Sequence, residues 1–224
     1  YSLSAFSLQF SGNANLYGVM VDNGGGVQVD NIPMRGCSGT IFTKMGRELL
    51  QKSYGQTDVE MIILQYGGNA MPALKTKEGV DYYKTQIANQ IKYLKSTYPD
   101  VPVLFIGPSD MSTRVNGVLT TYPLLPELIQ ALKEVALQNG CAFWDIYEVM
   151  GGQNSMLAWV RQGLAGNDYV HFTPAGANKI GTNLVDAFAT MYDYHCLSRD
   201  IKNGTITSVE QLQPIDTHRV IIDE

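Results

Sequence analysis

Nowhere in these 224 residues is there an apolar run long enough to cross a bilayer. The longest, 61–64 and 101–106, are strand-sized against the ~20 residues a spanning helix requires. A cluster of basic residues is also lacking. Sixteen Lys and Arg against 21 Asp and Glu leave a net charge of −5 with no Lys/Arg run, which argues against a nucleic-acid partner held through its phosphates. Cysteine is scarce and odd in number. Cys37, Cys141 and Cys196 share no metal-ligand spacing and cannot complete a disulfide framework, so no zinc site follows and buried free thiols are the expectation. No Gly-x-Gly-x-x-Gly or P-loop is present. The one glycine-rich run, Asn23-Gly-Gly-Gly26, precedes an expected strand and not a helix, which weakens a nucleotide-binding reading. The first residue is Tyr1, and no charged segment followed by an apolar stretch opens the chain, so it reads as a processed product or a fragment.

What is present is a composition of 45% hydrophobic and 17% charged residues, enough for one well-buried domain. Periodicity alternates strands and helices. Residues 27–32, 59–65, 101–106 and 141–146 read as strands, and 40–52, 79–98 and 123–139 as helices, the second ended by Pro99 and the third by Gly140. A last helix over 174–195 is opened by Thr173-Pro174, an N-cap residue with proline at the first helical position. The expected fold class is therefore α/β, a three-layer α/β/α, doubly wound, mostly parallel sheet. Residues 16–22, separated from 27 only by the short Asn23 to Gly26 loop, read as half of a hairpin. The expected organisation is a β-hairpin segment over 1–26, the end of an upstream β-rich insert or domain; the main domain over 27–196; and a polar tail over 197–224. Asn203-Gly204 in that tail reads as a turn, although Asn203-Gly-Thr205 also fits a glycosylation pattern.

In parallel α/β sheets ligands bind beyond the carboxyl ends of the strands, so the residues there come first. They are Pro33-Met-Arg-Gly36-Cys37-Ser38-Gly39, Tyr66-Gly-Gly-Asn69 and Gly107-Pro-Ser109-Asp110. Glycine after a strand turns the backbone and leaves an N–H pointing outward, and Asn69 adds a neutral side-chain donor, as an oxyanion hole requires. Asp168-Tyr-Val-His171, just before the last helix, pairs a base with a carboxylate that can orient it. Blander readings stand beside each: a surface or core histidine for His171, a turn glycine for Gly36, a helix N-cap for Asn69, and turn-capping or pocket-shaping roles for Ser109 and Asp110. Tyr66, Tyr122, Trp144, Trp159, Tyr169 and Phe172 read as core by default, with sugar stacking as the alternative.

These blocks resemble the SGNH (GDSL-type) hydrolase family over roughly residues 27–193. Gly36 matches the second block, Asn69 in Gly67-Gly-Asn69 the third, and Asp168-Tyr-Val-His171 the fourth; Ala70 stands where the family usually has Asp after the Asn. The resemblance implies a flavodoxin-like sheet and a Ser-His-Asp esterase that needs no cofactor and no metal. His171 would be the general base, Asp168 its orienting carboxylate, and Gly36 and Asn69 oxyanion donors. The first block, Gly-Asp-Ser, is absent from the 224 residues. No stretch before residue 27 offers a strand followed by the crossover that a parallel neighbour requires. The first strand and its nucleophile are expected from a missing N-terminal part of the same polypeptide. Ser38 is a fallback nucleophile within this chain, and Cys37, with only Arg35 near it in sequence, a weaker one. By the same resemblance the substrate is an acyl ester, acetyl being the expected group, of a small molecule or carbohydrate, in a periplasmic or secreted protein. The alternative is a catalytically inactive carbohydrate-binding or scaffolding relative.

Overall fold

The computed structural model describes residues 7–16, 18–19, 25–55 and 57–208. The chain divides into two units, 1–35 and 36–224. In the first, the described residues hold no helix or strand. The expected strand at 27–32 is not formed: its residues take no regular structure, and Val27 is 94% exposed. An extended segment becomes a strand only when a neighbour takes its backbone hydrogen bonds, and among the described residues none does. Residues 20–24, at the tip of the expected hairpin, lie outside the described residues.

The second unit is built on a parallel sheet of three strands, β1 (Ile62–Gln65), β2 (Val103–Ile106) and β5 (Ala142–Trp144), in the order β1-β2-β5. Ile62 stands opposite Val103, and Leu104 opposite Ala142. The strands are shorter than the apolar runs suggest. Pro102 has no N–H to offer a ladder, so β2 starts after it, and 59–61 then have no neighbour to pair with. Alternate residues of each strand face opposite cores. Leu64, Val103, Phe105 and Phe143 join the core under α2 (Lys77–Thr97) and α3 (Leu125–Gln138). Leu104, Ile106 and Trp144 join the core under α4 (Ile146–Met150), α5 (Ser155–Arg161) and the start of α6 (Pro174–Lys202). The result is the expected α/β arrangement, with helices on both faces of a parallel sheet.

Helix boundaries follow local chemistry. Thr76 caps α2 by accepting the Gly79 N–H at 3.1 Å, and the helix stops just before Pro99. The expected helix at 40–52 is interrupted. Gly46 takes an extended conformation that separates a short turn, Phe42–Lys44, from α1 (Arg47–Tyr54). The last helix runs past 195 to Lys202, because nothing breaks it before Asn203-Gly204, which does form the expected turn. A hairpin of β3 (Ser112–Val115) and β4 (Val118–Thr121) also appears, turned by Asn116 and Gly117, both at positive φ. Asn-Gly between strands is a strong hairpin signal, absent from the expected elements above.

Candidate active site

The Asp168–His171 turn lies between α5 and α6, and its backbone is bonded at nearly every position. Asp168 Oδ1 accepts the N–H groups of Val170 and His171, each at 3.0 Å. Its other oxygen, Oδ2, meets His171 Nδ1 at 2.8 Å. Tyr169 donates its N–H to the Gly166 carbonyl at 3.0 Å, and its own carbonyl accepts from Ser112 N–H at 2.9 Å. Gly166 N–H closes the loop on the His171 carbonyl at 2.8 Å, and Ala165 bridges Phe172. These bonds hold Tyr169 at φ +60, a left-handed conformation that costs an aromatic residue about 1 kcal/mol or more. The His171 N–H, then its imidazole, then the Val170 N–H favour the ionised carboxylate and lower the Asp168 pKa from its ordinary 3.8 to about 2.

With its Nδ1 proton held by Asp168, the imidazole presents the Nε2 lone pair outward, the tautomer a general base needs. The His171 side chain is 80% exposed and that of Asp168 52%. Thr173 then starts α6, its hydroxyl accepting the Gly176 N–H at 3.3 Å and donating to the Gly163 carbonyl at 2.7 Å. Gly176 lies so close to the Leu164 carbonyl that a side-chain carbon there would overlap it. Helix α6 is thus seated directly against the segment that pairs with the turn.

The second group of candidates follows β1. Gly67 and Gly68 lead to Asn69, whose side-chain amide donates to the Cys37 carbonyl at 3.1 Å. This bond brings the Asn69 and Gly36 loops together. An amide has two N–H groups, so one remains for a ligand. Asn69 does not cap a helix: the next short turn, Met71–Ala73, is preceded by Ala70 and has no side-chain cap. Gly36 has φ +74, a conformation open to glycine and costly for most other residues.

The loop after Gly36 is fastened to α2. Tyr83 donates its hydroxyl to the Ser38 carbonyl at 2.6 Å, and burial pushes its phenol pKa up, so it stays a donor. Gln90 accepts the Thr43 N–H and donates to its hydroxyl, both at 3.0 Å. Ser38 Oγ lies 3.4 Å from Thr40 Oγ1, and among the described residues no hydrogen bond links it to His171. The Cys37 sulfur accepts the Gly39 N–H at 3.3 Å.

Neighbours of both groups contribute to one core. Val170 packs into the same core as Ala70, Met71 and Tyr66, whereas Tyr169 and Phe172 pack into the other. The turn therefore contributes residues to the cores on both faces of the sheet. The aromatic candidates are largely core: Trp159 is buried, and Tyr66, Tyr122, Trp144, Tyr169 and Phe172 pack partly against one core or the other. Asp110 does not face solvent. It is fully buried and bonded to Thr121 and Met156, a role whose one sequence signal is the Asn116-Gly117 hairpin that carries Thr121. Among the described residues no group of three or more His, Cys, Asp or Glu is placed to hold a metal ion.

The pieces are an oriented base in one turn and, in the loops joined through Asn69 and the Cys37 carbonyl, a glycine and an amide that can donate. Such a set can deprotonate a hydroxyl nucleophile and stabilise the negative oxygen of a tetrahedral intermediate. Comparison with known proteins agrees with this chemistry. The GDSL-like lipase/acylhydrolase family matches residues 5–179, a span that contains Gly36, Asn69, Asp168 and His171. Among solved structures, a peptidoglycan O-acetylesterase is similar at 25% sequence identity with a TM-score of 0.60, over 68% of this chain and 43% of its own. This chain thus spans less than half of that protein's length. No curated protein matches it.

Proposed function

This chain belongs to the GDSL-like lipase/acylhydrolase family, and from that premise we propose that it carries the acid–base and oxyanion parts of a serine esterase that removes acetyl groups from a carbohydrate. The observation that carries the reading is the 2.8 Å pairing of His171 Nδ1 with Asp168, and the Asn69–Cys37 contact that joins the other two candidate loops supports it. His171 Nε2 takes the proton of a serine hydroxyl as its oxygen attacks the ester carbonyl. The oxygen that becomes negative is received by the Gly36 N–H, the free N–H of the Asn69 amide and the N–H of the serine itself. His171 then returns the proton to the departing sugar hydroxyl, and water releases acetate by the same steps in reverse.

The serine is supplied from outside these 224 residues. Support comes from β1, which pairs with β2 on one side and is the last strand of the sheet among the described residues. A strand added in parallel to that edge ends beside Gly67 to Asn69, so a residue at its carboxyl end reaches the oxyanion donors and the exposed face of His171. The peptidoglycan O-acetylesterase likeness supports an O-acetylated carbohydrate as substrate, and with it a periplasmic or secreted location. The test is His171→Ala in the full-length polypeptide, assayed on an aryl acetate and on O-acetylated polysaccharide. Loss of both activities is expected; unchanged turnover would refute the assignment.

The absence of Gly-Asp-Ser from this sequence favours one second reading, a carbohydrate-binding relative without turnover. Acetate release by the unsubstituted full-length protein rejects it.

A further inference from the structure

Asp110 takes no part in the chemistry above, yet it is completely buried and bonded on both oxygens. Its Oδ1 accepts from Thr121 Oγ1 at 2.8 Å. Its Oδ2 accepts the Met156 N–H at 2.8 Å, with Ser155 Oγ at 3.4 Å. Thr121 Oγ1 in turn accepts the Asn154 N–H at 2.7 Å. Asn154 Oδ1 receives the Thr121 N–H and the Thr120 hydroxyl, both at 3.0 Å. One carboxylate therefore ties the end of the β3–β4 hairpin to the start of α5.

Each of these two elements grips the Asp168–His171 turn from its own side. In the hairpin, Ser112 stands opposite Thr121, and its N–H is the donor that holds the Tyr169 carbonyl. At the far end of α5, the Trp159 carbonyl accepts the N–H groups of Leu164 and Ala165 at 2.9 and 3.3 Å. Ala165 bridges Phe172, Thr173 N–H bonds the Leu164 carbonyl at 3.0 Å, and the Trp159 ring lies 5.3 Å from that of Phe172. A buried carboxylate is a costly way to join two elements if only stability is needed, because an apolar side chain avoids the desolvation penalty. A fully bonded one fixes their separation and direction to hydrogen-bond tolerance, which apolar contact does not.

We propose that Asp110 is a positioning residue for the catalytic turn, setting the spacing of the two elements that hold Asp168 and His171 in register. The proposal rests on the reading of that turn as catalytic, but its structural half can be tested without turnover. Asp110→Asn is the direct variant, and Thr121→Val with Thr121→Ser is the gentler pair, since serine keeps the hydroxyl that valine removes. In the full-length protein, the carbon-13 titration of the Asp168 carboxyl reports the turn, and kcat and KM on an aryl acetate report its use.

The expected result for Thr121→Val is an Asp168 midpoint moved upward from about 2 toward 3.8. A fall of about tenfold or more in kcat with KM little changed accompanies it, as a slightly misplaced base requires, and Thr121→Ser restores both. An unmoved Asp168 midpoint in a folded Thr121→Val protein overturns the proposal, whatever happens to kcat. A moved midpoint in a parent protein that shows no turnover upholds the positioning role and refutes the esterase reading instead.

Discussion

The Asp168–His171 turn and the outer edge of β1 are built in opposite ways. The turn is complete within its own neighbourhood: carboxylate, imidazole and backbone groups find partners within a few residues or on Ser112. Among the described residues, the edge is paired on one side only. In β2 all four residues are buried, whereas in β1 Ile63 is 43% exposed and Gln65 is exposed as well. The proposed proton-moving part of the site is therefore bonded within one turn and to the hairpin that holds it, whereas the proposed nucleophile would depend on a neighbour added along the sheet.

The sharpest way to break this contrast is at the turn itself. Asp168→Asn keeps the shape but removes the charge that orients His171, and kcat on an aryl acetate should fall on the order of 10⁴-fold with KM little altered. A loss under about tenfold would mean that the turn is not the working base. Next comes the contrast between strands, read by denaturant unfolding. Phe105→Ala in the buried β2 should cost about 3–5 kcal/mol. Ile63→Ala should cost under about 1 kcal/mol in the 224-residue chain but about 2–4 kcal/mol in the full-length polypeptide, where a paired strand would cover it. Equal costs in the two contexts would show that nothing docks on the β1 edge.

Asn69→Ala comes third: losing one oxyanion donor should lower kcat by about 10²–10³-fold without unfolding the protein. The mildest test is pH. Asp168 titrates at about 2 when folded and at an ordinary 3.8 when not, so its contribution to stability is complete above about pH 4 and lost as pH falls through 2. A carboxyl titration midpoint near 4 in the folded protein would show the turn to be loose.

The same contrast explains what could be read from sequence. Asp168-x-x-His171 was legible because its hydrogen bonds span two or three residues, so spacing alone implies the geometry. Asn69 and Gly36 were legible as loop residues after expected strands, but their joining through the Cys37 carbonyl spans a helix and a strand and is not written in either segment. Residues 27–32 carry the alternation of a strand, yet alternation states only a willingness to pair. Asp110 reads from sequence as a turn-capping or pocket-shaping residue because its partners are distant: Thr121 ends the second strand of the hairpin and Met156 lies in α5, a helix too short to show periodicity.

Gly176 has a consequence for anyone who would re-engineer this protein. Because helix α6 touches the Leu164 carbonyl at that point, position 176 acts as a fixed gauge between the helix and the turn it follows. Adding one methyl group there would lift the first turn of the helix and drag Thr173 and Phe172 with it, shifting the neighbouring His171 from a distance. A mutant library aimed at new acyl groups should leave this glycine untouched, along with the residues of the turn it gauges.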